Sequence, residues 1–521
     1  MGTDKSSDAS LARIRLRQGN GIRYILPRDN ETVMDALIRY GVYINAVCGG
    51  KGRCGKCKVK TSGTDIPVSA ADRAFFSAGE LDDGWRLSCA LHACDGLEEI
   101  SVENDDGFEI ITEHADITAA NGGSGYAIGI DIGTTTIAFC LLDRSSGRVC
   151  GTTSEVNRQR IFGADVISRI QAASEGKGGK LGESIKNDLK NGILRLCREC
   201  KITADKISSI AVAANTAMTH LLMGYDCSSL GRYPFKPVNI DMIRVGLNEI
   251  TGIPTKTETV ILPGISAYIG ADIVSGMYAC DFDKTDDICL LVDLGTNGEM
   301  ALGNRHGIIA ASSAAGPAFE GGSISCGMGS VEGAICSVSL DGEEATVRTI
   351  KDKQPIGICG TGVIEAVAEL LREGMLDKTG LLRDDLFECG FLLCADRDGS
   401  EITLTQKDIR EIQLAKAAVR TGIEILIREY GITKEQVSKI YIAGGFGYRL
   451  DASKAIAIGM IPPEFDGRIE AVGNTSLAGA LKFLNDPNGS EMLTNIVSVA
   501  KEISLPQNAD FNELYMKFMS F

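Results

Sequence analysis

Two stretches of this chain repeat one short pattern. An apolar run over 126–130 leads into Asp131-Ile132-Gly133-Thr134-Thr135-Thr136, and a second over 288–292 leads into Asp293-Leu294-Gly295-Thr296-Asn297-Gly298. Each run ends on an aspartate, turns on a glycine and offers hydroxyl or amide side chains just beyond. A strand that stops in this way aims backbone N–H groups and threonine hydroxyls at one place, and the glycine lets a phosphate come close. The aspartates at the strand ends suit a hydrated Mg²⁺, which takes few carboxylates and keeps several waters. Two such loops far apart predict two related halves. Further strands are predicted over 210–214, 440–443 and 471–472, with helical periodicity between, which is an α/β pattern. Val363, Ile364, Val367, Leu370 and Leu371 share one helix face, and Gly374 ends that helix.

Upstream the pattern changes. Ile14 and Leu16 alternate with Arg13, Arg15 and Arg17, Gly19-Asn20-Gly21 supplies a turn, and 22–26 returns as the second arm of a hairpin. The arginines are then a solvated strand face. A short helix opens at Asn30-Glu31-Thr32, with Val33, Ala36, Leu37 and Tyr40 on one side. Next comes Cys48-Gly49-Gly50-Lys51-Gly52-Arg53-Cys54-Gly55-Lys56-Cys57, and later Arg86-Leu87-Ser88-Cys89-Ala90. Three thiolates on one glycine-rich loop and a fourth from a distant strand can surround two irons, with backbone N–H groups turned toward the sulfides. Plant-type [2Fe–2S] ferredoxins space their ligands C-x4-C-x2-C…C, and the first gap here is one residue longer. Four thiolates would also hold zinc, although zinc ribbons use two C-x2-C knuckles and only Cys54/Cys57 form one here. Cys94 competes with Cys89 for fourth ligand, and Cys89 has the better context. Cys197 and Cys200 form an isolated C-x2-C with no partner pair, and a bland role is expected.

Composition removes several classes of function. The 521 residues carry 53 Lys+Arg against 69 Asp+Glu, a net charge of −16, which repels a phosphate backbone and excludes nucleic acid as a partner. No run approaches ~18 apolar residues, so no membrane span is expected. The polar start lacks a signal-peptide core, and the 17 cysteines do not form a small disulfide scaffold, so a cytoplasmic protein is expected. Length implies roughly three or four domains. The expected boundaries are 1–104 for the cysteine-bearing unit, 105–125 for a linker, and 126–286 and 287–521 for the two related halves.

With Ala443-Gly444-Gly445-Phe446-Gly447 added to the two aspartate loops, the later part resembles the ASKHA superfamily of acetate and sugar kinases and actin. In that resemblance Asp131, Gly133, Thr134, Thr135 and Thr136 form the first phosphate loop. Asp293, Gly295, Thr296 and Asn297 form the second, and Gly444, Gly445 and Phe446 line the adenosine turn. The first part resembles a β-grasp [2Fe–2S] ferredoxin whose ligands are Cys48, Cys54, Cys57 and Cys89. A ferredoxin-like domain fused to a two-lobed α/β ATPase is similar to the ATP-dependent reductive activators of corrinoid proteins. Segments at 157–170, 355–362 and 442–447 share that likeness. Some relatives carry a further linker or middle domain after the ferredoxin, where this chain has about twenty residues.

The resemblance implies ATP, Mg²⁺ and a [2Fe–2S] cluster as cofactors, a low-potential electron donor, and a homodimer through the ATPase part. It implies as partner a corrinoid iron–sulfur protein or the corrinoid subunit of a methyltransferase. The reaction it implies is one-electron reduction of Co(II) to Co(I). A plant-type cluster lies near ~ −400 mV, the cobalt couple is expected lower still, and each ~59 mV uphill costs a factor of ten. ATP turnover would offset that cost, with Asp131 and Asp293 organising Mg²⁺ and the attacking water. Three other readings compete: a small-molecule kinase with a regulatory ferredoxin domain, an ATP-driven donor to another metalloenzyme, and a non-enzymatic module whose docking ATP switches. The segment 214–220 is expected near the nucleotide or between the halves, with His220 a satisfied core histidine. The loops 315–322 and 358–362 are expected to reach ATP through backbone N–H groups, and Lys416 to lie on a solvated helix face.

Overall fold

A computed structural model describes residues 13–18, 21–28, 31–40, 42, 44, 52, 55, 57–94, 96–102, 124–395, 399–444 and 450–521. They group into two compact units, one within 1–106 and 158–184, the other within 107–157 and 185–521. Cys48, Cys54, Gly445, Phe446 and nearly all of the expected linker lie outside the described residues.

The first unit is a five-stranded sheet in the order β2-β1-β5-β3-β4. β1 (Ile14–Gln18) and β2 (Gly21–Ile25) are the expected hairpin, α1 (Val33–Arg39) follows, and β3 (Lys58–Gly63) comes after the cysteine loop. Two short helices, α2 (Ala70–Phe75) and α3 (Ala78–Asp82), lead to β4 (Trp85–Leu87) and β5 (Leu97–Val102). β5 runs parallel to β1 and antiparallel to β3, which makes this a β-grasp sheet. Ile14 and Leu16 are buried against Val33, Ala36 and Leu37 in one core. Arg15 and Arg17 face outward and pair with Glu99 at 3.3 and 3.1 Å, as a solvated face should. Helix α4 (Val166–Ala172) also belongs to this unit.

The second unit repeats one plan twice. In its first sheet β6 (Tyr126–Ile132), β7 (Thr136–Asp143) and β8 (Arg148–Val156) form an antiparallel meander. β9 (Ile207–Ala214) lies parallel to β6, β10 (Ile243–Gly246) is the edge, and β11 (Glu258–Ile261) lies parallel to β9. The second sheet starts with the same meander, β12 (Ile288–Leu294), β13 (Gly298–Asn304) and β14 (Gly307–Ser313). A three-stranded sheet of β15 (Ala334–Asp341), β16 (Glu344–Thr349) and β17 (Gly357–Ile358) and a hairpin of β18 (Phe391–Ala395) and β19 (Glu401–Leu404) are inserted next. The chain then returns as β20 (Val437–Ala443) beside β12 and β21 (Ile469–Gly473) beside β20, both parallel, with β22 (Ala500–Glu502) against β14. The echo between the two aspartate loops is thus an echo of whole sheets.

Helices complete the second unit. α5 (Gly178–Glu199), which enters it from residue 185, α6 (Thr216–Met223), α7 (Leu247–Thr251) and α8 (Ala271–Ala279) accompany the first sheet. α9 (Gly360–Arg372), α10 (Gln406–Tyr430), α11 (Ala452–Ala457), α13 (Gly489–Val499) and α14 (Phe511–Lys517) accompany the second, whereas α12 (Thr475–Asn485), from the later half of the chain, packs on β6 and β9 of the first. α8 follows β11 as α12 follows β21, and the two helices pack on each other. Small residues permit this: a Cβ on Gly479 would lie 2.0 Å from Ser275 O, and one on Gly276 would lie 2.9 Å from Thr475 Oγ1.

One expectation is corrected. Lys416 lies on a helix as expected, but not on a solvated face: it is buried, its Nζ donates to Ser520 O, and it stands over the Phe521 ring at 4.9 Å. The helix is apolar nearly all round there, with Ala415, Ala417, Ala418 and Val419 also buried. The segment 358–362 opens α9 as expected, with Cys359 at its N-cap, and it is buried, with a Cβ on Gly360 placed 1.7 Å from Phe319 O.

Candidate functional site

In the first unit, two of the four candidate thiols are described and they meet. Cys57 immediately precedes β3 and Cys89 lies just beyond β4, and their sulfurs stand 3.2 Å apart. The run Arg86-Leu87-Ser88-Cys89 explains how. The buried Arg86 guanidinium donates to the carbonyls of Ile66, Pro67, Leu81 and Trp85. Leu87 N–H donates to Asp72 and its side chain fills the core, while Ser88 donates through both N–H and Oγ to Cys57 O. These contacts fix Cys89 against Cys57. The neighbouring Cys89 thiol holds the Cys57 thiol below its usual range, with burial opposing. A thiol that ionises readily, paired at this distance with a second, fits the ligand set of an iron–sulfur cluster. Gly55, at φ +64°, lies so close under Phe75 that a Cβ would sit 2.4 Å from the ring.

In the second unit both aspartates are the last residue but one of their strands, and the hairpin that follows is one residue tighter in the second half. Asp131 faces Ala138 across the β6/β7 hairpin, and Asp293 faces Glu299 across β12/β13. The turns are closed by Gly133 N–H to Thr136 O and Gly295 N–H to Asn297 O, each 2.9 Å. Asn157 fastens the first loop from outside, donating from Nδ2 to Gly133 O at 2.8 Å and from N–H to Thr135 O at 3.0 Å. Asn215, the N-cap of α6, donates to Thr134 Oγ1 at 3.3 Å. In the second loop the Thr296 hydroxyl donates to Glu320 at 2.7 Å. Gly444 ends β20 at φ +107°, where a Cβ would lie 2.2 Å from Leu294 O and 3.1 Å from Asp293 Oδ1. The structure thus brings together Asp131, Gly133, Thr134, Thr135 and Thr136 as one loop, and Gly295, Thr296 and Asn297 with Asp293 and Gly444 as another.

The electrostatics are dominated by crowded acids. Burial first, then Asp272, Asp131 and Glu320, push Asp293 up to about 8. Burial also raises Asp272 and Glu299, each further raised by neighbouring carboxylates. Asp131 is raised by burial too, but Ser476 and Asn474 pull against it. Asp131, Asp272 and Asp293 are half-buried. Among the described residues no group of three or more acid, histidine or cysteine side chains could hold a metal ion by itself. His220 is a satisfied core histidine as expected: its Nδ1 meets Thr216 O at 2.8 Å, its Nε2 accepts from Val238 N–H at 2.9 Å, and burial lowers its pKa.

Three family descriptions match consecutive parts of the chain: "2Fe-2S iron-sulfur cluster binding domain" over 18–94, "RACo middle region" over 126–285, and "C-terminal domain of RACo the ASKHA domain" over 287–521. The "Corrinoid activation enzyme RamQ" of Eubacterium limosum is 33% identical over 75% of this chain and 69% of its own length. The chain belongs to the corrinoid-activator family. Another relative of these activators is the "[Co(II) methylated amine-specific corrinoid protein] reductase" of Methanosarcina barkeri, 28% identical over 76% of this chain and 77% of that one. A solved "Reductive activator for corrinoid,iron-sulfur protein" is 25% identical, covers 98% of both chains and superposes with a TM-score of 0.72. Among the described residues of this activator no helix is long and apolar enough to cross a membrane.

Sequence reasoning did not single out Asp272, Glu299, Asn474 or Ser476. Glu299 carries a signal, since it directly follows the second loop, where its cross-strand partner is Asp293. Asp272 and Ser476 occupy the same place, the second residue of α8 and of α12, so aligning the two halves beyond their aspartate loops would have found them.

Proposed function

We propose that this activator is an ATP-dependent reductase that takes the corrinoid of a partner protein from Co(II) to Co(I). What carries the reading is the combination on one chain of a paired-thiol β-grasp unit and two mirrored aspartate hairpins, over most of the length of relatives named as corrinoid activators. Cys48, Cys54, Cys57 and Cys89 would hold a [2Fe–2S] cluster, which supplies single electrons at low potential when bound. The low position of the Cys57 thiol favours the thiolate such a site requires.

The nucleotide falls to the second unit. Gly133, Thr134, Thr135 and Thr136 on one hairpin and Gly295, Thr296 and Asn297 on the other would cradle the phosphates, with Gly444, Gly445 and Phe446 against the adenosine. Thr296 already donates its hydroxyl proton to Glu320, so a phosphate at that point must take the proton from a carboxylate. Asp131 and Asp293 would hold Mg²⁺ and orient the attacking water. Mg²⁺ is normally bound by one or two carboxylates, phosphate oxygens and waters, so these two aspartates would suffice on the protein side. The crowded acids add a reason: a divalent cation relieves like-charge repulsion that otherwise keeps protons on Asp293. Nucleotide turnover then shifts the two halves and offsets the unfavourable electron transfer. A low-potential donor refills the first unit, and the ATPase part forms a homodimer.

ATP hydrolysis by the reconstituted protein, measured with and without a Co(II) corrinoid protein, tests this reading. Stimulation by the Co(II) partner is expected. Phosphorylation of a small molecule in place of hydrolysis, with no response to the corrinoid protein, would select the kinase reading instead.

A further inference from the structure

The two corresponding helices of the halves differ in chemistry at their N-termini. Helices α8 and α12 both point their N-termini toward the strand ends that carry the aspartates, yet they present opposite chemistry. α8 has Gly270 at its N-cap and Asp272 two residues on. α12 has Asn474 at its N-cap and Ser476 two residues on. Asn474 Nδ2 donates to one oxygen of Asp131 at 2.8 Å, and Ser476 Oγ donates to the other at 2.7 Å. The two helices are locked at their crossing by Ser275 Oγ donating to Ser476 O at 2.8 Å.

Asn474 is itself rigidly held. Its Oδ1 accepts from Leu477 N–H at 2.8 Å, closing the helix cap, so the amide cannot flip without losing that bond. It follows Gly473, which stands at φ +65° and accepts from Gly444 N–H at 3.0 Å. The backbone just past β20 and the carboxylate near the end of β6 are therefore joined through two hydrogen bonds, with the 473–474 peptide and the Asn474 side chain between them. A carboxylate with a donor on each oxygen has a fixed plane, whereas Asp293 faces Asp272 and Glu299, which are acids.

We propose that Asn474 and Ser476 are positioning residues for ATP hydrolysis, setting the orientation of Asp131 from the N-terminus of α12, a helix of the later half of the chain that packs on the strand carrying Asp131. The inference rests on Asp131 belonging to the nucleotide site. It separates from a purely structural role because the cap and the donor are different atoms of the same side chain. Asn474→Asp keeps the capping oxygen but replaces the donor to Asp131 with an acceptor.

The test uses the full-length, cluster-reconstituted protein and reads three quantities: kcat for ATP hydrolysis, equilibrium ATP binding and the unfolding midpoint. Asn474→Asp and Ser476→Ala should each lower kcat roughly 10- to 100-fold, the range expected for a misaligned catalytic group, and leave the ATP dissociation constant within about threefold. The unfolding midpoint of Asn474→Asp should stay nearer to the unsubstituted protein than that of Asn474→Ala, which loses the cap. Wild-type kcat in Asn474→Asp, or kcat losses that simply follow the unfolding midpoints across the three variants, would overturn the proposal. If the unsubstituted protein neither bound nor hydrolysed ATP, the nucleotide reading would fall first and the proposal with it.

Discussion

Asp293 lies across a hairpin from Glu299 and near Asp272, a placement that would cost stability in an ordinary sheet, where like charges opposite one another repel. Such crowding persists where it serves chemistry. Asp293→Ala should therefore abolish ATP hydrolysis while leaving the visible absorption of the cluster unchanged, and an undiminished rate would remove Asp293 from the site. In the other unit, Cys89→Ser should erase the [2Fe–2S] absorption and the reduced-state EPR signal, because Cys57 then lacks the neighbour 3.2 Å away. Lys416 offers a third test at this scale. Burial first, then Arg420, lowers its pKa from 10.5 to about 8. The folded state thus holds the proton less tightly than the unfolded state, so this group destabilises the protein below pH 8, and stability rises as the pH passes from about 8 toward 10.5. Lys416→Met should flatten that rise in denaturation midpoints measured across the window, and an identical slope would show that Lys416 is not the source. The 48–57 cysteine run and the Asp-x-Gly-Thr loops were legible because each motif is contiguous, and Cys89 was singled out by its Arg-Leu-Ser-Cys-Ala context. Asn474 and Ser476 were not, since their partner Asp131 is more than three hundred positions away and nothing in an Asn-Thr-Ser run reveals it.

The helix pair α8/α12 decides where the acids and donors point, because both helices begin at the strand ends. Their crossing has no spare room: Gly479 meets the Ser275 backbone, and a Cβ there would lie 2.0 Å from its carbonyl oxygen. Gly479→Ala should cost about 1–3 kcal/mol despite the better helix propensity of alanine, and should lower ATP hydrolysis together with the unfolding midpoint. Gly179→Ala is the contrast. It sits in α5 with nothing within 4 Å of a new Cβ, so it should be neutral or stabilise by about 0.5–1 kcal/mol. Equal effects of the two substitutions would refute the close-crossing account. At this scale the parallel strands were readable, since 127–130, 210–214, 289–292 and 440–443 are largely covered on both faces and appear as continuous apolar runs. β8 and β16 were not, because they expose alternate residues and carry threonine, arginine and glutamate among the apolar positions.

Across the whole molecule, the sequence echo proved to be a duplicated sheet plan, and the cysteine loop led to a β-grasp sheet, so the two kinds of chemistry were legible before any coordinates. The grouping of 158–184 with the first unit was not, because no composition shift marks either boundary. The central claim is that nucleotide turnover in one unit makes favourable an electron transfer that starts in the other. Its most direct measurement follows cobalt optically in a Co(II) corrinoid protein mixed with the reconstituted activator and a low-potential reductant, with and without ATP. Accumulation of Co(I) only when ATP is present is the predicted result. Equal Co(I) yield in its absence would contradict the account.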